Sequence, residues 1–245
     1  MMRAVQRILA IFESFTPEAD SLTLQEIADR IELPKSTAFR IVQSLEQAGY
    51  LVRLENQQYC LSFRFTRLAG LVKSTLGIRE IARPVMAELS HTTKETVSLH
   101  TISGRNRVCI DVINGISPLR SVVQPGEQIP LGAGSAAKVL LAHMAPGELS
   151  PLLTALARST KRPKAELATE LNRVRDAGFA VSHGERLLGV SAVSAPIKDV
   201  SEQVHYCLSV NGPSVRMQSH EKDYAKLVVK AAASISRLYG AQTPV

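Results

Sequence analysis

The sequence predicts an α+β chain in two parts: short helices and a hairpin near the N-terminus, then about 165 residues of mixed strands and helices. Three observations predict it. A helical apolar period breaks at Leu33-Pro34 and resumes at once; β-rich runs flank turn residues at 55–57 and again at 103–106; a long amphipathic helix closes the chain. The 245 residues are 45% hydrophobic and 21% charged, so the chain can bury a sizeable core. No apolar run approaches the roughly 18 residues of a membrane span. Met1-Met2-Arg3-Ala4-Val5-Gln6-Arg7 lacks the apolar core of a signal peptide. Cys60, Cys109 and Cys207 are odd in number and far apart, which reads as reduced thiols of a cytoplasmic protein rather than a disulfide framework or a zinc site.

In order along the chain, Val5, Ile8, Leu9 and Phe12 recur at helical spacing, and that helix ends near Pro17. After a polar turn, Thr23-Leu24-Gln25-Glu26 reads as a capping box: the Thr23 hydroxyl accepts from the amide three residues on, and Glu26 reaches back. Leu24, Ile27, Ala28 and Ile31 make the apolar face of that short helix. Pro34 suits the first turn of the next, which runs to about Ala48 and is closed by Gly49. Tyr50–Leu54 and Gln58–Leu61 read as two strands of a small hairpin, and residues from about Phe63 to Lys73 as helical. Gly77 is a joint before a helix over Ile78–His91. Strands are expected at Thr96–Ile102, Arg107–Ile113, Phe179–Ser182, Val190–Ile197 and Val204–Val210. Helices are expected at about 134–144, 147–158 and 164–177, and last of all one with Tyr224, Leu227, Val228, Ala231, Ile235 and Leu238 on one face.

Two short helices joined by a tight break and followed by a hairpin make a winged helix-turn-helix pattern, in which the first helix braces the second and the second enters the major groove of DNA. Ala38, Ile41, Val42 and Leu45 fall on the inner face of the second helix. The other face shows Lys35, Ser36, Thr37, Arg40, Gln43 and Gln47, side chains suited to phosphates and base edges, with no acid before Glu46. Net charge does not locate this face. The chain is +7, but residues 1–75 hold nine basic and eight acidic side chains.

These residues resemble the opening of the IclR family of bacterial transcriptional regulators. The likeness is carried by Ala4-Val5-Gln6-Arg7-Ile8-Leu9-Ala10-Ile11-Phe12, Leu24-Gln25-Glu26-Ile27-Ala28, Leu33-Pro34-Lys35-Ser36-Thr37-Ala38-Phe39-Arg40-Ile41-Val42 and Ala48-Gly49-Tyr50-Leu51. Tyr59-Cys60-Leu61 with Leu68-Ala69 resembles that family's wing and the start of its linker. The resemblance covers nearly the whole chain. It implies a winged helix-turn-helix domain at 1–62 (the motif itself at about 23–47), a linker helix at 63–77, and an effector-binding domain at 78–245 with a GAF-like antiparallel sheet flanked by helices. It adds Phe39 to the DNA-binding set and implies binding to a double-stranded DNA operator as homodimers, often paired into tetramers.

In the second part, Gly132-Ala133-Gly134-Ser135-Ala136 reads as a helix start with exposed amides that favour an anion, and only weakly as a dinucleotide loop. Carried over position by position, the resemblance implies a ligand cup with backbone amides at Ser135 and Ala136 and side chains at Ser182, Ala192, Ser209 and Asn211. Leu188, Val190, Ile129 and Val122 would be apolar walls. Members of the family often carry an acid where Ser182 stands, Cys where Ala192 stands, His at Gly132 and Ser at Asn211. A missing carboxylate lowers repulsion of an anion and the Asn211 amide can donate or accept, so a small carboxylate or related metabolite is the expected effector. His91, His100, His143, His183, His205 and His220 show no metal-ligand spacing, and no metal, cofactor or catalytic residue is expected. Two other readings stay open: an enzyme built on a GAF-like domain, which needs a base beside Cys109, Cys207 or a serine, and an architectural DNA-binding protein without a ligand.

Overall fold

The structure, a computed structural model, describes residues 3–16, 19–68 and 77–241. The chain divides into two compact units, Met1–Thr75 and Leu76–Val245. Of the expected linker helix, 64–68 is helical, while 69–76 lie outside the described residues.

The first unit holds α1 (Arg3–Glu13), β1 (Ser21–Leu22), α2 (Leu24–Arg30), α3 (Lys35–Gln47), β2 (Leu51–Arg53) and β3 (Tyr59–Leu61). The capping box is formed: the Glu26 amide donates to Thr23 Oγ1 at 3.3 Å and the Thr23 amide to Glu26 Oε2 at 2.7 Å. The Thr23 amide, and then the Thr23 hydroxyl at 2.8 Å, donate to the Glu26 carboxylate and hold its pKa below the usual value. Pro34 caps α3 from just outside. At its other end Gly49 takes φ +74°, so that Gly49 N donates to Glu46 O and Tyr50 N to Leu45 O, both at 2.8 Å. These paired bonds satisfy two carbonyls that the helix end would orphan. The hairpin is completed by β1, which was expected to be a polar turn: Ser21 and Leu22 pair antiparallel with Cys60 and Tyr59, giving the order β1-β3-β2. Ile11, Leu22, Ile27, Val42, Leu45, Leu51 and Tyr59 form the core beneath.

The second unit holds α4 (Ile78–Thr93), β4 (Thr96–Ser103), β5 (Asn106–Ile113), β6 (Gln128–Pro130), α5 (Ser135–Ala142), α6 (Pro146–Thr160), α7 (Lys164–Ala177), β7 (Ala180–His183), β8 (Val190–Lys198), β9 (Val204–Pro213), α8 (Ser214–Ser219) and α9 (Glu221–Leu238). The strands make one antiparallel sheet in the order β6-β5-β4-β9-β8-β7, with helices against it, as the resemblance implies. The period of two assigns its faces. Val97, Leu99, Leu208, Val210, Val193, Ala195 and Ile197 point to one side and pack on Ala82, Met86 and Leu89 of α4 and Val228, Ala232 and Ile235 of α9. Leu238, expected on that face, is exposed at the helix's last position. The alternate residues Ser98, His100, Ser194, Ser209 and Asn211 are equally buried but polar. That second face carries the site.

Candidate functional site

On the first unit, Ala38, Val42 and Leu45 are buried while Lys35, Ser36, Phe39, Arg40, Gln43 and Gln47 are exposed and Thr37 is half-buried. The inner and outer faces of α3 thus fall where the period places them. Sequence reasoning missed what steadies the helix's far end. Arg64 Nη1 donates to Ala48 O at 2.5 Å, with its guanidinium over the Tyr50 ring at 5.3 Å, and Ser62 Oγ donates to Gly49 O at 2.6 Å. Phe65 meets Phe12 edge-on at 5.0 Å and Tyr50 at 5.7 Å. The signal was present as an aromatic and an arginine at the start of the linker, but their partners lie far away in sequence.

On the second unit, the polar face of the sheet and the start of α5 enclose a small cup, partly open to solvent. Ser135, Ala136, Ser182, Ala192, Ser209, Asn211, Val190 and Val122 line it together. Two expected walls do not. Leu188 sits in the turn closed by Gly184 and Gly189, both at positive φ, and is 90% exposed; Ile129 pairs opposite Arg107 on β6 and is buried outside the lining. His183 also stands apart, between Ser191 Oγ at 3.2 Å and Glu221 Oε2 at 3.1 Å.

The cup's wall is a network of hydroxyls. Ser135 Oγ meets Ser194 Oγ at 2.7 Å, and Ser194 meets Ser209 at 2.6 Å. Asn211 Nδ2 donates to Ser98 Oγ at 3.0 Å and to Thr96 O at 3.1 Å. Ser98 lies 2.9 Å from His100 Nε2, and Arg107 Nη1 lies 3.3 Å from His100 Nδ1. Arg107 Nη1 also lies 3.4 Å from His100 Nε2, so the guanidinium faces both ring nitrogens. Gly134 N donates to Glu185 Oε2 at 3.0 Å, so one amide at the start of α5 already has an anionic partner within the chain.

Arg107 is the feature the sequence reading did not find. It lines the cup, it is 5% exposed, and its Nε has no hydrogen-bond partner among the described residues. Burial pulls its pKa down from the usual arginine value. Arg186, Gly134, Ser121 and Leu187 also line the cup, and no carboxylate does.

His100 supplies a pH prediction. Burial first, then the nearby Arg107 and Arg186 cations, hold its pKa well below the ordinary 6.5. The unfolded chain therefore gains a proton near pH 6.5 that the folded chain refuses. Stability is fully present above that pH and falls below it, with a limiting slope of about 1.4 kcal/mol per pH unit for one proton. His143, lowered mainly by burial, adds the same sign. The thermal midpoint should fall between pH 7.5 and 5.5, and His100→Gln should flatten that fall. Equal midpoints at both pH values would remove His100 from this role.

A winged helix-turn-helix unit followed by a polar-walled ligand cup on an antiparallel sheet defines a one-component transcriptional regulator. Comparison with known proteins agrees. Residues 4–55 match the IclR helix-turn-helix domain and residues 71–237 match the bacterial transcriptional regulator IclR C-terminal domain. The transcriptional regulator KipR of Bacillus subtilis (strain 168) is 30% identical over 244 residues, 97% of each chain; KdgR of Escherichia coli (strain K12) is 27% identical over 97% of this chain and 92% of its own. Crystal structures of an IclR-type regulator from Silicibacter sp. TM1040 and of HmgR from Pseudomonas aeruginosa superpose with TM-scores of 0.89 and 0.83. Each is 23% identical, and the alignments cover 99% and 98% of this chain and 98% of each of theirs. The chain belongs to the IclR family of transcriptional regulators, with a DNA-binding helix-turn-helix domain and a C-terminal ligand-binding domain.

The enzyme reading is set aside, since those relatives are transcriptional regulators. The thiols agree with that: burial pushes Cys109 and Cys207 each up to about 12, so neither is a thiolate at neutral pH. Among the described residues no helix is long and apolar enough to cross a membrane, and no cluster of three or more His, Cys, Asp or Glu is placed to hold a metal ion.

Proposed function

We propose that this regulator reads its operator through Lys35, Ser36, Thr37, Phe39, Arg40, Gln43 and Gln47, and that a small carboxylate bound in the cup changes its operator affinity. The domain limits proposed are 1–62, 63–77 and 78–245. The observation that carries the ligand reading is Arg107: a buried guanidinium with an unpartnered Nε in a cup that no carboxylate lines. A buried cation without a counter-charge is costly, and a carboxylate with two acceptor oxygens supplies both the charge and the missing bond. Ser135, Ala136, Ser182, Ala192, Ser209 and Asn211 orient the rest of the ligand, beside Val122 and Val190.

One reading helix covers few base pairs, so a homodimer on two half-sites, itself paired into a dimer of dimers, is the assembly proposed, acting in the cytoplasm. The ligand acts through different affinities for two arrangements of that assembly. Fluorescence anisotropy on DNA upstream of its own gene, over a salt series and with a panel of carboxylates, tests both halves. Selective binding shifted by a carboxylate supports the reading; selective binding indifferent to every member returns the architectural alternative. Arg40→Ala is expected to weaken specific binding by about 1–3 kcal/mol. Undiminished affinity for the operator would take Arg40 out of base reading.

A further inference from the structure

Two arginines line the cup, but they do not present the same charge to a ligand. Arg107 is buried and has no anionic partner among the described residues. Arg186 is ion-paired through Nη2 to Glu127 Oε1, a bond between residues 59 apart in sequence. Glu127 is itself held, because its Oε2 accepts from the Gln124 amide at 3.2 Å. One carboxylate oxygen is therefore tied to its own turn and the other to the arginine. Near Arg107, His100 and the thiols of Cys109 and Cys207 are neutral at pH 7, and the charged neighbours are the paired Arg186 and Glu127. Two guanidinium charges less one carboxylate leave the cup with a single uncompensated positive charge.

We propose that Glu127 sets the charge of the effector: by neutralising Arg186 it restricts the cup to a monocarboxylate seated on Arg107. This rests on the carboxylate reading above. A dicarboxylate would bring its second charge toward Arg186, where Glu127 already stands. Like charges a few ångströms apart in a half-desolvated cup repel by an amount that easily reverses a preference. Glu127→Gln keeps an acceptor for Arg186 and removes the charge, so the cup then presents two positive charges. The apolar side chains at the mouth, Val122, Leu187 and Val190, suit the uncharged end of a monocarboxylate.

The test is isothermal titration of the full-length protein with matched pairs: pentanoate against glutarate, and benzoate against terephthalate. The wild type is expected to bind the monocarboxylate of each pair more tightly. Glu127→Gln is expected to shift the ratio toward the dicarboxylate by about tenfold or more. In Glu127→Gln/Arg186→Gln the single charge on Arg107 remains, and the monocarboxylate preference is expected to return. A ratio unchanged in Glu127→Gln overturns the role of Glu127 and leaves the carboxylate reading standing. Failure of every carboxylate to bind either protein, with operator binding intact, overturns the reading itself and this inference with it.

Discussion

Arg107→Met is expected to abolish the effector response of the full-length protein, to leave its operator affinity in the absence of ligand unchanged, and to raise the thermal midpoint. The three effects share one cause. The guanidinium is buried, its Nε is unpartnered among the described residues, and its pKa is depressed by desolvation. As the proposed ligand contact it would weaken the empty protein and strengthen the loaded one. Removing one partner of a buried, hydrogen-bonded charge pair costs about 2–5 kcal/mol, roughly thirtyfold in affinity or more. Replacing an unpaired buried charge by an apolar side chain of similar length is stabilising on the scale of about 1–4 kcal/mol. Anisotropy with and without a binding carboxylate, together with a melting curve, reads all three. A lowered midpoint with an intact response would make Arg107 a structural residue. Gains in stability bought with function are common where a site is built from unsatisfied groups.

That Arg107 was invisible in the sequence, whereas α3 was plain, has a physical explanation. The signals at Thr23, Glu26, Pro34 and Gly49 are local: each concerns a backbone group within about four residues, so spacing alone reveals it. The face of α3 follows from the same periodicity, and Lys35, Arg40 and Gln43 could be placed outward with nothing else known. In β5 the period of two puts Arg107 and Cys109 on one face, but period does not say which face is covered, nor does it reveal the bulge opposite Leu99 and His100 that turns Asp111 to the other face, beside Arg83. As an arginine on a strand, Arg107 reads as a solvent-side position. It is buried because α5 and residues from β7 to β9, far along the chain, close over it. Ser182, Ser209 and Asn211 were found through the family likeness, since a strand serine by itself is an ordinary surface residue. The two- and three-residue strands β1 and β6 were missed because so short a run has no period to detect. Leu188 failed for the opposite reason: an apolar residue was expected to be covered, but its tight glycine-bounded turn carries it into solvent.

Gly212→Ala is expected to cost about 3 kcal/mol of stability, against about 1 kcal/mol for Gly178→Ala, although only Gly178 has a positive φ. At Gly178 a Cβ meets open space and the penalty is backbone strain alone. At Gly212 a Cβ would overlap Glu95 Oε2 and lie 2.6 Å from its Cδ. The carboxylate cannot yield cheaply. Glu95 is almost fully buried and held by Arg216, Nε to Oε1 at 2.6 Å and Nη2 to Oε2 at 2.9 Å, while Arg216 also donates to Leu119 O at 2.8 Å. The neighbouring Thr96 Oγ1 donates to Ser121 O at 2.9 Å. One methyl group therefore breaks a buried ion pair and loosens the segment that brings Ser121 and Val122 to the cup. The partial exposure of Arg216 keeps the cost at the lower end of the range for such pairs. Urea unfolding should show the loss at unchanged slope, and carboxylate affinity should fall with it although Arg107 is untouched. In a Glu95→Ala background the added methyl has nothing to strike, so the same substitution should there cost well under about 1 kcal/mol. Additive losses in the double variant would place the strain somewhere other than Glu95.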